Sequence, residues 1–171
     1  MKFFISSTII IIIGCLSHFF YKWSKYNKIV GTFVAVNEST WEHIKLALFP
    51  TFIFIIIELF ANKNYNVLFG GMIALCTEIF LIPFLFYFPK LFYKKDIFWW
   101  DIMIFIISIF IAIFLYYKIL PLQVPSFINF ISSIGIFLIF IMYISFTNYS
   151  PHNFLFKDPI TNKYGFDAVG K

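Results

Sequence analysis

Residues 37–60 read NESTWEHIKLALFPTFIFIIIELF. A polar run from Asn37 to Lys45 leads without a break into an apolar stretch that ends near Phe60. That stretch is long and does not alternate, which favours a helix over a strand. A bilayer core of about 30 Å needs about 20 helical residues. The reading is a membrane-spanning helix over about residues 39–60 with a polar entrance. Ser39-Thr40-Trp41-Glu42 has the form of a capping box, in which the serine caps the helix and Glu42 reaches back to it.

Four further stretches read the same way, at about residues 3–21, 67–88, 97–117 and 124–146. The expected fold is all-α: one integral membrane bundle of about five helices within a single domain, residues 1–171, with a tail over 147–171. Composition agrees, with 61% hydrophobic and 12% charged residues against about 45–50% and 25% in soluble domains. A soluble fold cannot hide that much apolar surface. The 27 phenylalanines and the absence of arginine fit AT-rich codon usage and carry no functional weight. Cys15 and Cys76 lie inside apolar runs and read as small packing residues, not as a disulfide framework or zinc motif.

Lysine placement orients the bundle. Lys22, Lys25, Lys28 and Lys45, then Lys90, Lys94 and Lys95, then Lys157, Lys163 and Lys171 fall on one side of a five-helix arrangement. Only Lys2, Lys63 and Lys118 fall on the other. The lysine-rich side is expected in the cytoplasm, with the N-terminus outside and the C-terminus inside, in a bacterial cytoplasmic (inner) membrane. This topology accounts for the net charge of +5 without a nucleic-acid partner. Ile12-Ile13-Gly14-Cys15 resembles a lipoprotein cleavage box. Cleavage there would carry Lys22, Lys25 and Lys28 outside, so the first span reads as retained. Ile29 to Val36 is apolar but too short to cross, and is expected to lie in the interface or to dip in and return.

This topology gathers the ionisable residues. His18, Glu38, Glu42, His43, Lys45, Asp101, His152 and Asp158 all fall at the cytoplasmic level. His18, His43 and His152 with an acid are the mixed nitrogen and oxygen donors that suit a divalent metal. In that reading Glu42 or Glu38 acts as catalytic base or ligand, in a site that binds a metal or a polar lipid headgroup and carries hydrolytic chemistry. The bland reading of Glu42 is helix capping and pairing with a snorkelling Lys45. Glu78 stands apart, near the middle of the third span. An ionised carboxylate there is expensive, so it is protonated or paired inside the bundle, and it is the candidate intramembrane polar site. A small transporter or transporter subunit using Glu78, as a homodimer or with a membrane partner, is one alternative function. A non-catalytic partner or assembly protein is another.

The run Gly31 to Lys45 continuing through Phe49-Pro50, the upstream Ser17-His18-Phe19-Phe20-Tyr21-Lys22-Trp23-Ser24, and the tail Pro151-His152 with Asp158-Pro159-Ile160-Thr161-Asn162-Lys163-Tyr164-Gly165 together resemble a family of small bacterial membrane proteins catalogued only as a domain of unknown function. The resemblance covers nearly the whole chain. It implies a multi-pass membrane protein and supplies no activity.

Overall fold

A computed structural model describes residues 1–62, 66–92 and 98–169. Lys63, Lys94, Lys95 and Lys171 of the lysine asymmetry, and Ile97 at the expected start of the fourth span, lie outside the described residues. The described residues form α1 (Lys2–Trp23), α2 (Lys28–Phe33), α3 (Thr40–Ala61), α4 (Asn66–Lys90), α5 (Phe98–Ile119) and α6 (Ser126–Ser145), then a 3₁₀ turn (Gly165–Ala168). The fold is all-helical, with no strand among the described residues. Five helices, all but α2, are long and apolar enough to cross a membrane.

α4 is the hub. It packs against α3, α5 and α6, while α1 lies across α3 and α5. The core between them is built from Ile44, Ala47, Leu48, Ala74, Leu75, Ile109, Ala112, Ile113 and Tyr116. Outward faces carry Phe80, Phe84, Phe127, Phe130 and Phe137, all well exposed. Such a surface suits hydrocarbon, where helix association rests on close packing and not on water exclusion.

The crossing of α1 and α3 shows how sequence sets that packing. Pro50 lies inside α3 and has no N–H, so the Leu46 carbonyl four residues earlier loses its helical donor. Gly14 packs on that same carbonyl: a Cβ there would stand 2.6 Å from Leu46 O. Only glycine lets the two backbones approach so closely.

α3 begins as the capping motif requires, with Ser39 Oγ accepting from Glu42 N at 3.4 Å. The reciprocal half is not formed. Ser39 N donates instead to Asn37 Oδ1 at 2.8 Å, and the Glu42 carboxylate is drawn elsewhere. Ile29–Val36, expected at an interface, folds mostly into α2, capped by Asn27 Oδ1, which accepts from Ile29 N and Val30 N.

The tail folds back onto the α3 entrance. Trp41 N donates to Leu155 O at 2.9 Å, and the Trp41 ring packs with Phe146 and Phe156. Of Phe154, Leu155 and Phe156 in the tail, Phe156 is buried and Phe154 is exposed, the latter edge-on to Tyr87.

Candidate functional site

The two runs that stand out in the sequence meet in space. Asp158 Oδ1 accepts from Glu38 N at 3.1 Å. Asp158 Oδ2 accepts from Thr161 N at 2.8 Å and Thr161 Oγ1 at 2.6 Å, an Asx-type turn that fixes the carboxylate. Asn37 Nδ2 donates to Gly165 O at 2.9 Å. Gly165 has φ +49°, and a Cβ there would fall 2.2 Å from Thr147 O, so glycine seats the tail against the end of α6. The tail therefore holds the loop 34–39 in place, and that loop carries Glu38.

Two acids of the polar run have opposite environments. Glu42 and Lys45 are almost fully buried. The three N–H groups of Lys45 Nζ are shared among four acceptors, Glu42 Oε2 at 3.0 Å, Gly31 O at 3.0 Å, Val34 O at 2.9 Å and Thr147 Oγ1 at 2.6 Å. Thr147 Oγ1 in turn donates to Glu42 Oε1 at 2.9 Å, and Val36 N donates to Glu42 Oε2 at 3.1 Å. This closed ring ties α2, the loop, α3 and the end of α6 together. Tyr143 roofs it, its hydroxyl donating to Phe33 O. Lys45 does not snorkel outward; its ammonium points inward, where backbone carbonyls replace water.

Glu38 is open. Its carboxylate stands between two imidazoles, 3.4 Å from His43 Nε2 and 3.8 Å from His18 Nε2. The two rings stack at 5.9 Å. All three side chains keep 35–45% of their surface exposed. The neighbouring His43 and, less strongly, the charge of His18 hold the Glu38 carboxyl below the usual carboxylate range, against an opposing contribution from partial burial. His43 Nδ1 lies 3.0 Å from Ser39 O, a carbonyl that can only accept, so Nδ1 carries a proton. Nε2 then faces the carboxylate, and a second proton shared between them makes that contact favourable. Asp101, in the first turn of α5, adds its negative charge to the surroundings of His43.

The structure brings His18, His43 and Glu38 together and does not bring His152 into that group. His152 stacks on Tyr164 at 4.4 Å, beside a shallow cleft of about 190 Å³ lined by Thr147, Asn148, Ser150, Tyr164 and Asp167. Among the described residues no three His, Cys, Asp or Glu side chains form a group that would hold a metal ion. Glu78 lies fully buried on α4 and accepts from Thr51 Oγ1 at 2.7 Å. Sequence reasoning did not single out Thr147 or Thr51. Each is one threonine in an apolar helix or at its end, and only the fold pairs it with an acid.

These features define a class: an all-α bundle of membrane-spanning length that carries, among the described residues, an open carboxylate–imidazole cluster at its polar end. The chain matches, over residues 1–166, the model of a family described as a family of unknown function, DUF6512, and it belongs to that family. No curated protein and no solved structure matches it.

Proposed function

We propose that this chain is an integral protein of a bacterial cytoplasmic membrane, its lysine-rich end and tail in the cytoplasm and its N-terminus outside. At that end Glu38, His18 and His43 form an acid–base site for a polar lipid headgroup. One observation carries the reading: a half-exposed carboxylate is flanked by two half-exposed imidazoles at the rim of an apolar bundle. Without its shared proton, the pair of carboxylate and neutral Nε2 can take a proton from water or a headgroup hydroxyl, hold it between the two groups and return it to a leaving group. In this reading Glu38 is the base and His43 its proton partner. His18 closes the other side, where its ring N–H can donate to a phosphate oxygen. The exposed Lys22, Lys25 and Lys28 favour an anionic headgroup at the same rim.

Glu42 is assigned a structural role, because both its oxygens are engaged within the buried ring. The headgroup form of the site is preferred to the metal form, for which the described residues offer no ligand set.

Native mass spectrometry of protein released from bilayers containing phosphatidylglycerol and phosphatidylethanolamine tests the binding step. The expected result is retained anionic lipid in the wild type and at least several-fold less in His18→Ala and His43→Ala. Equal retention in all three proteins would count against the headgroup reading.

A further inference from the structure

A second polar group lies in the middle of the bundle, away from the headgroup cluster. Glu78 is fully buried, and its Oε2 has no hydrogen-bond partner among the described residues. The hydroxyls of Ser7 on α1 and Ser108 on α5 are likewise fully buried and unpartnered. This is unusual within the same chain. Ser17, Thr77 and Ser132 satisfy their hydroxyls by donating to carbonyls three or four residues back, Gly14 O, Ile73 O and Ile128 O. Ser7 and Ser108 do not.

Helix register places these oxygens at one level. α1 meets α3 at Gly14 with Leu46 and at His18 with His43, which sets Ser7 opposite the turn that holds Thr51. α3 meets α4 at Thr51 with Glu78 and at Ile55 with Gly71. α4 meets α5 at Gly70 with Tyr116 and at Leu85 with Trp100, which sets Ser108 opposite Glu78. Phe3 packs on Phe110 and Phe114, Ser6 reaches Tyr117 and Gly14 meets Phe105, which sets Ser7 within about a turn of Ser108. Four helices thus each bring one oxygen-bearing side chain to within roughly one turn of a common height.

The geometry points to a monovalent-cation site at mid-bundle, with the Glu78 carboxylate as its charged ligand and the hydroxyls of Thr51, Ser7 and Ser108 as neutral ones. Hydroxyl and carboxylate oxygens are the ligands of hard cations. One carboxylate neutralises one unit of charge, so a sodium-sized ion leaves the site neutral, whereas a divalent ion would bury a net positive charge in apolar surroundings. The ion also gives each orphaned oxygen a partner, removing a penalty that burial otherwise imposes. A proton competes for the same carboxylate, so acid weakens the ion. This proposal is independent of the headgroup reading and shares no residue with it.

Thermal unfolding of the detergent-purified full chain, in NaCl against choline chloride at equal ionic strength, is the test. Sodium is expected to raise the wild-type midpoint saturably by about 2–4 °C. Glu78→Gln keeps the shape, removes the charge and is expected to abolish the shift. Ser7→Ala and Ser108→Ala are expected to move the half-saturating sodium concentration several-fold upward, and they decide the matter should Glu78→Gln not fold. Identical midpoints in sodium and choline for the wild type would overturn the site and leave hydrated hydroxyls around a neutral acid. A sodium shift that survives in Glu78→Gln, or one unchanged in both serine variants, would overturn it equally.

Discussion

Lys45 Nζ lies 3.0 Å from Glu42 Oε2, and neither side chain reaches solvent. A buried ion pair is a weak source of net stability but a severe liability once one partner is removed. Here the ammonium also holds the carbonyls of Gly31 and Val34, and the carboxylate holds Val36 N–H, so the pair organises backbone as well as charge. Glu42→Gln and Lys45→Met are each expected to destabilise the protein by ~3–5 kcal/mol. The double variant is expected to lose less than the sum of the two, because neither leaves an isolated charge. It stays below wild type, since the backbone groups have lost their partners. Thermal midpoints of the four proteins check this.

Glu38 sets a pH dependence whose sign follows from its environment. Its carboxyl is held below the usual range by His43 first, then by the His18 charge. A carboxylate with a depressed folded-state pKa contributes stability that is present above its unfolded value, about 4.3, and lost as pH falls through its folded value. The half-exposed setting screens the effect. The wild type is therefore expected to unfold at a modestly higher temperature than Glu38→Gln at pH 7, with the difference closing below about pH 4. Midpoints of both proteins across that range measure it.

Gly165 is the hinge on which the tail seats. Its φ of +49° and the 2.2 Å approach of a Cβ to Thr147 O make Gly165→Ala both conformationally and sterically unfavourable. A left-handed backbone alone costs about 1–2 kcal/mol for a residue with a Cβ. The expected outcome is a tail released from the loop, with faster proteolytic cleavage after Lys157 and Lys163 and a bundle that still folds. Unchanged cleavage would show that the tail does not depend on that turn.

The orientation is open to direct labelling. Ile160 on the tail and Leu122 between α5 and α6 are both exposed. In a background of Cys15→Ala and Cys76→Ala, a membrane-impermeant thiol reagent is expected to label Leu122→Cys in intact cells and Ile160→Cys only after the membrane is opened. The reverse pattern would turn the bundle over and remove the cytoplasmic assignment of the Glu38 cluster.

The five long helices were legible because each is a continuous apolar run of bilayer length, a signal that needs no tertiary information. The gathering of His18, Glu38 and His43 at one end followed from counting crossings. Less legible was which acid is open. Glu42 and Glu38 are four residues apart and chemically alike, and the difference between them comes from Val36, Lys45 and Thr147, which close over Glu42 and not over Glu38. Lys45 read as a snorkelling side chain because sequence shows its neighbour Glu42 but not the carbonyl cage of α2. The tail motif around Asp158 gave no hint of its partner, since Glu38 N is 120 residues away. Likewise, the spacing of Ser7, Thr51, Glu78 and Ser108 reveals nothing until four helices are packed in register.

Acid–base chemistry of the open Glu38–His43 pair on a lipid headgroup is visible to phosphorus NMR of proteoliposomes. Vesicles of phosphatidylglycerol and phosphatidylethanolamine carrying the wild-type chain are expected to develop a new phosphorus resonance with time, from hydrolysed headgroup. Vesicles carrying Glu38→Gln are expected to do so at least about 10²-fold more slowly. Spectra that stay unchanged with the wild type, or that change equally with Glu38→Gln, would rule out Glu38 as the base of such a reaction.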